Sequence, residues 1–332
     1  MTRCLLVLVA ALCVAPAALA DGIAPFATQG GPGALAPDGS ARLVALAAGT
    51  GTRIERIDAH GGGTLRTLFV KGAWGIPVAT YSNTGEGVSP DGSTLVVADV
   101  VHAWPHVRSS FLFLDPQTLQ IRHRLTLRGD FAFDALSPDA SRLYLIQHVS
   151  SADTTRYVVR AVDTPTMRLL PHRIADKTQR NWVMVGYPLN RVTSKDGRYV
   201  YTLYGNPENV PFVHALDTVR GVAHCIGLPW RGSDDAVWNM RLTLHGRSLA
   251  VHWASGRRWL RMDTSSWRLS HDAGGLPWWV WLVAGLAAVA ATIVAAHVRR
   301  TRALAAGAAG RDRSPARLGS WLPLTRMRSR HV

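Results

Sequence analysis

Four turns of one kind, each followed by a short run of β-formers, constrain this chain more than any other feature. They are Ala36-Pro37-Asp38-Gly39, Ser89-Pro90-Asp91-Gly92, Ser137-Pro138-Asp139-Ala140 and Ser194-Lys195-Asp196-Gly197. Their second positions are 53, 48 and 57 residues apart. A degenerate fifth copy, Leu244-His245-Gly246-Arg247, leads into the apolar run from Ser248 to Trp253. A second landmark keeps step with the first: an Asp that closes an apolar run and opens a polar turn, at Asp58, Asp115, Asp163, Asp217 and Asp263. Two landmarks recurring in phase about every 50 residues are the mark of a repeat architecture.

The physics of one unit is legible between Phe111 and Asp196. Pro fixes φ at the second turn position, Asp suits the third, and Gly at the fourth tolerates a left-handed backbone. The apolar run Arg142–Gln147 reads as a buried strand and Tyr157–Val162 as the next, with Asp163 turning the chain. In the preceding unit Ile121–Leu127 alternates in period two. Arg122, Arg124 and Thr126 are thereby placed toward water, as an outer strand requires. Phe131–Leu136 leads into the next turn. Four strands per unit of this length predict an all-β fold, a β-propeller of about five four-stranded blades. Ile23–Thr28 is expected to close the last blade as an added strand. A two-sheet sandwich is the rival, and sandwiches rarely carry an in-phase repeat of this kind.

The Pro-Asp-Gly turn with its strand, followed by an apolar strand ending in Asp-x-x-Thr, resembles the TolB-type and YVTN-type β-propellers, bacterial relatives of the WD-repeat propellers. The resemblance covers about residues 33–270 and implies a fold without implying an activity. The chain departs from the pattern in three places: an insertion near His102 to Ser109, Lys195 in place of Pro, and a fifth turn without Asp.

Flanking segments suggest a topology. Arg3, the apolar Leu5–Val14 and Ala18-Leu19-Ala20 read as a secretory signal over residues 1–20. The short run before Cys13, with Leu12 where a small residue belongs, argues against a lipoprotein signal. A second apolar segment runs uncharged from Leu276 to Val298. Its 21 residues from Trp278 would span about 31 Å as a helix, enough for a hydrocarbon core. Trp278, Trp279 and Trp281 sit at one end, as interfacial rings do, and Arg299, Arg300 and Arg302 follow at the other. The expected order is therefore signal 1–20, extracytoplasmic propeller 21–273, transmembrane helix 274–298 and a cytoplasmic, disordered Arg-rich tail 299–332. That order makes a single-pass cell-membrane protein with the lipid bilayer as one partner. The net charge of +15 fits this division: the last 34 residues hold nine Arg and one Asp. So uneven a distribution argues against a nucleic-acid partner. Ala284, Ala288, Thr292 and Ala296 form a small-residue stripe that would suit a helix-mediated dimer. Once a signal is removed, Cys225 stands alone, so core burial must hold the fold; in its apolar strand it reads as a small buried hydrophobe.

No Gly-x-Ser-x-Gly, His-Glu-x-x-His or Cys-x-x-Cys motif appears in the chain. His102-Ala103-Trp104-Pro105-His106 holds two imidazoles, but Pro105 breaks the helix that would align them, so a solvated or partner-contacting loop is expected there in place of a metal site. Asp234 and Asp235 with Trp238 form a second polar-aromatic group. A solvated turn that contacts a partner is expected over acid–base or cation chemistry. The reading that follows is a cell-surface recognition or sensor module without catalytic, cofactor or metal residues, binding an unidentified protein or ligand. A lactonase-like propeller hydrolase and an envelope assembly partner are the alternatives. The side chains lining the central channel discriminate among them.

Overall fold

In both turn families the backbone follows from a carboxylate placed where it can accept an amide hydrogen. The carboxylates of Asp38, Asp91, Asp139 and Asp196 accept the backbone N–H two residues on, at 2.9–3.1 Å. The fourth turn residue donates its N–H to the first residue's carbonyl. That fourth residue is left-handed in every copy: Gly39, Gly92 and Gly197 at φ +71° and Ala140 at +55°. The second family behaves alike. Each landmark Asp caps the amides just after it. The residue four places on is again left-handed: Gly62, Leu119, Met167, Gly221 and Trp267. Asp and Gly are thus the turn chemistry of a repeated hairpin.

The computed structural model describes residues 27–82, 84–100, 106–178, 183–206, 208, 210–271 and 278–309. The predicted signal, His102, Trp104 and the end of the Arg-rich tail lie outside these residues. Two compact units result, Met1–His271 and Asp272–Val332.

The first unit is an all-β propeller. It opens with a short strand, β1 (Ala27–Thr28). The first sheet is β2 (Ala34–Leu35), β3 (Ala41–Ala48), β4 (Gly51–Asp58) and β5 (Thr64–Lys71). The second is β6 (Trp74–Pro77), β7 (Leu95–Asp99), β8 (Arg108–Leu114) and β9 (Ile121–Arg128). The third is β10 (Phe131–Leu136), β11 (Arg142–His148), β12 (Arg156–Asp163) and β13 (Arg168–Ile174), with β14 (Met184–Val185) paired to β12. The fourth is β15 (Tyr187–Thr193), β16 (Tyr199–Gly205), β17 (Phe212–Asp217) and β18 (Val222–Gly227). After α1 (Asp234–Trp238) the fifth is β19 (Arg241–His245), β20 (Ser248–His252), β21 (Arg258–Asp263) and β22 (Leu269–His271). Neighbouring strands within each sheet are antiparallel.

The middle strands are buried on both faces and the fourth strands, β5, β9, β13 and β18, are largely exposed, as blades packed face to face require. Apolar clusters fill the seams between successive sheets, from Leu43, Ile54 and Leu95 in the first to Leu203, Leu249 and Leu260 in the fourth.

Two sequence expectations change. Ala27–Thr28 pairs with Pro77 and Ile76 of β6 in the second sheet, and does not close the last one. The Gln29 amide fixes it there, donating to Thr52 Oγ1 and to the Trp74 carbonyl. The insertion placed at His102–Ser109 ends sooner, because Arg108 and Ser109 already belong to β8.

The turns converge. Asp91 N–H donates to the Pro138 carbonyl at 3.1 Å. A Cβ on Gly197 would lie 2.3 Å from Pro90 Cγ, whereas one on Gly39 meets nothing within 4 Å. Both glycines have the same φ, so Gly39→Ala isolates the left-handed strain, about 1 kcal/mol. Gly197→Ala adds overpacking against a rigid ring, a further 1–3 kcal/mol or so. Urea unfolding of the two variants should rank Gly197→Ala clearly lower; equal losses would show that the turns do not meet.

The second unit contains α2, Trp278–Ala309, long and apolar enough to cross a membrane over Trp279–Leu304. Trp279 and Trp281 are exposed on it. The helix continues through Arg299, Arg300 and Arg302, where the sequence suggested that the disordered tail begins. Ala303-Leu304-Ala305-Ala306 is strongly helix-forming and carries it onward. Thr292, in the small-residue stripe, turns its hydroxyl back to the Val289 carbonyl at 2.7 Å.

Candidate functional site

The run from Trp74 to the turn at Pro90 is longer than its counterparts, and the surplus folds as a hairpin that reaches the first strand of the fourth sheet. Val78 and Gly85 pair at its base. Near its tip, Tyr81 and Ser82 donate their backbone N–H groups to the Pro188 and Leu189 carbonyls of β15, at 2.8 and 3.1 Å. On the other side Gly85 lies against Gly33: a Cβ there would come within 2.1 Å of the Gly33 carbonyl oxygen. Only glycine permits that approach. The hairpin therefore ties the second sheet to the first strands of the first and fourth.

Charge gathers beside it. Arg191 of β15 reaches Asp134 of β10, Nη2 to Oδ1 at 2.6 Å, with both side chains at most 5% exposed. The same guanidinium donates to the Asp134 carbonyl and to Thr202 Oγ1. Glu86, just past the hairpin, is within electrostatic reach of both. Burial raises its carboxyl, Arg191 lowers it, and Asp134 raises it again, for a net upward shift. The group thus holds two carboxylates and one guanidinium.

Above this group the hairpin meets α1. Trp238, 40% exposed, stands edge-on to Tyr81 at 5.1 Å and tilted against Tyr187 at 5.7 Å. Burial and the neighbouring Tyr187 push the Tyr81 hydroxyl well up, and its oxygen is buried without a partner among the described residues. Of the residues singled out in the sequence, Trp238 is brought to this aromatic cap. Asp235, exposed, and Asp234 lie on the same short helix.

His106 is elsewhere. It is buried, not solvated: its Nδ1 lies 3.5 Å from Asp130 Oδ1, and His148 Nδ1 lies 3.2 Å from the same oxygen. Its backbone N–H also points to Asp130 Oδ2. The two imidazoles and the carboxylate pin the start of β8 to β10 and β11. Asp99, nearby, is pushed up by burial although it accepts the Ser110 N–H.

A fourth arrangement escaped the sequence reading. Across the fourth sheet, Arg191, Thr202, His214 and Cys225 stand in register on consecutive strands. His214 Nδ1 and Cys225 Sγ are 3.4 Å apart. Cys225 is half-buried, not the small buried hydrophobe expected, and lines a cavity of about 340 Å³ with Met184, Phe212 and Glu208. Burial lowers His214 to about 4 and raises the thiol to about 12. The signal for the pair was present: the turn after Asp217 alone fixes His214 opposite Cys225.

Among the described residues no group of three or more His, Cys, Asp or Glu side chains is placed to hold a metal ion. No family model matches the chain, and no curated protein does. Solved propellers resemble it weakly. TolB from Acinetobacter baumannii is 16% identical over 72% of this chain and 53% of its own, with TM-score 0.41, so the chain spans about half the length of that protein. A putative TolB from Agrobacterium tumefaciens is 16% identical over 72% and 78%, TM-score 0.39. BamB from Moraxella catarrhalis is 15% identical over 73% and 64%, TM-score 0.37. At these identities the likeness concerns architecture alone.

Proposed function

We propose that this chain is a membrane-anchored recognition module whose propeller, outside the cytoplasm, binds a partner and catalyses nothing. The observation that carries the reading is the hairpin docked on three sheets beside the Arg191–Asp134 pair. Enzymes on such scaffolds use convergent polar groups around an open axis. Here the protein's own hairpin lies against the first strands of the first and fourth sheets, and the Arg191 guanidinium engages the Asp134 carboxylate that a hydrolase would need free. Binding then falls to the rim. Trp238 is its natural anchor, a large half-exposed ring supported from behind by two tyrosines, with Asp235 beside it. In this reading residues 21–273 face outward, residues 274–298 cross the bilayer, and the Arg-rich segment from Arg299 lies inside.

The test uses the full chain in its membrane, tagged at the C-terminus. Protease added to spheroplasts should remove the propeller and spare the tag. A photo-crosslinking residue at Asp235 should capture a partner that one at Arg66, on the exposed β5, does not, and Trp238→Ala should abolish capture. Loss of the tag with a protected propeller would reverse the topology. Metal-dependent hydrolysis of a lactone, ester or glycoside that disappears in Glu86→Gln would replace the module with an enzyme.

A further inference from the structure

We propose that one corner of the fifth sheet is a lipid-contact site for anionic phospholipid headgroups, with Trp230, Trp253 and Trp259 as its aromatic seat and Arg231 and Arg257 as its charges. The proposal rests on the reading that α2 crosses a bilayer. The three indoles pack on one another, with ring centroids 5.3–5.7 Å apart. They back onto the apolar cluster around Leu249 and Leu260, yet each remains half-buried. Indoles with one side on a core and the other wet are the kind that the lipid–water interface favours.

The loop that carries Trp253 is held in shape. Trp253 N–H donates to the Arg257 carbonyl and Gly256 N–H to the Trp253 carbonyl, both at 2.9 Å. His252 braces it from the strand, its Nδ1 donating to the Gly256 carbonyl at 3.0 Å while Nε2 meets Thr243 Oγ1 at 2.9 Å. Charge surrounds the trio. Arg231, Arg241, Arg257 and Arg258 are exposed at this end of the sheet, against Asp234 and Asp235 on α1. A guanidinium meets phosphate with paired donors, so the excess of arginine suits an anionic headgroup. The course of the chain then favours lipid over a soluble ligand. His271, the last residue of β22, pairs with Leu260, the neighbour of Trp259. Only residues 272–277 separate His271 from Trp278, the first residue of α2. Seven Cα steps reach at most about 25 Å. A tether that short keeps the local lipid concentration high, so even a weak contact is populated.

The experiment places the full chain in nanodiscs of phosphatidylcholine, with or without phosphatidylglycerol, whose brominated acyl chains quench a nearby fluorophore. Cys4, Cys13 and Cys225 are replaced by Ser, and one bimane is attached through Ser255→Cys, His60→Cys or Ala291→Cys. Ser255 lies in the Trp253 loop and Ala291 midway along α2. His60 lies in the Asp58 turn, the counterpart of the Asp263 turn at the far end of β21. Bromolipid should quench the labels at residues 255 and 291 and spare the one at 60. On phosphatidylglycerol, Arg231→Gln and Arg257→Gln should each lower the ratio of docked to undocked label at residue 255 about fivefold. High salt should act in the same direction. Equal responses at residues 255 and 60, beside a quenched label at 291, would overturn the site alone and leave the trio as packing between sheets. Quenching at residue 255 that ignores phosphatidylglycerol and both arginines would overturn the recognition of headgroups. A silent label at residue 291 would overturn the membrane reading, and this site with it.

Discussion

Replacing Arg191 by Met is expected to cost the protein about 3–5 kcal/mol, the largest loss from any single polar side chain in the propeller. The guanidinium is nearly enclosed and makes its contacts to Asp134 and Thr202 where water cannot substitute for them. Its removal strands the Asp134 carboxylate and leaves Glu86 facing a like charge. Most of the loss belongs to the stranded charge and not to the pair itself. The double variant Arg191→Met with Asp134→Leu should therefore regain most of the stability. Urea unfolding of the two single variants and the double closes the cycle. A loss below about 1 kcal/mol in Arg191→Met would mean that water reaches the pair.

Acid should weaken the fold through His214, and the sign can be worked out. The folded ring titrates at about 4, against 6.5 for an unperturbed histidine, because burial disfavours the imidazolium. Arg191 adds to that lowering, while Asp134 and Asp176 oppose it. Below its unfolded value the unfolded chain takes up a proton that the folded chain refuses. The stability that His214 supplies is thus complete above about pH 6.5, falls as the pH drops toward 4, and amounts to about 3 kcal/mol over that interval. Glu86 works in the opposite direction: its carboxyl is raised in the folded protein, so acid favours the fold at that site. Comparison with His214→Gln separates the two. Between pH 7 and 4 the wild type should lose about 3 kcal/mol more than the variant. Parallel curves would show that the ring is solvated.

The repeat was legible because its chemistry is local. Asp38, Asp91, Asp139 and Asp196 cap amides two residues away, and Asp58, Asp115, Asp217 and Asp263 do the same at the next corner, where Asp163, with Pro165 two places on, caps the Thr166 amide instead. A side chain acting on its own turn leaves its mark in the sequence around it. The apolar helix was legible for the same reason, although its end was not, since Ala303–Ala309 prolongs it beyond the Arg cluster. What the sequence hid depends on residues meeting across the fold. Arg191 meets Asp134 from 57 residues away, and nothing near either announces the other. The hairpin at Val78–Gly85 looks like an ordinary polar stretch until Pro188 is placed beside Tyr81. His106 was read as part of a solvated loop because Asp130, which contacts it, lies 24 residues on, at the entry to the third sheet. The His214–Cys225 pair is intermediate: counting outward from the turn at Asp217 finds it, but not the cavity beside it.

That hairpin also sets an order of events during synthesis. Each sheet draws its four principal strands from one continuous stretch, so it can assemble as soon as that stretch has emerged, with only short loops to close. The segment around Tyr81 emerges with the second sheet but finds its acceptors, Pro188 and Leu189, only when the fourth arrives. Until then its amides must be satisfied by water, and the early sheets stand as a partial ring. Docking of the hairpin is therefore a late step that registers the completion of the fourth sheet. A nascent chain halted before Pro188 would expose this segment to proteases that the finished protein resists.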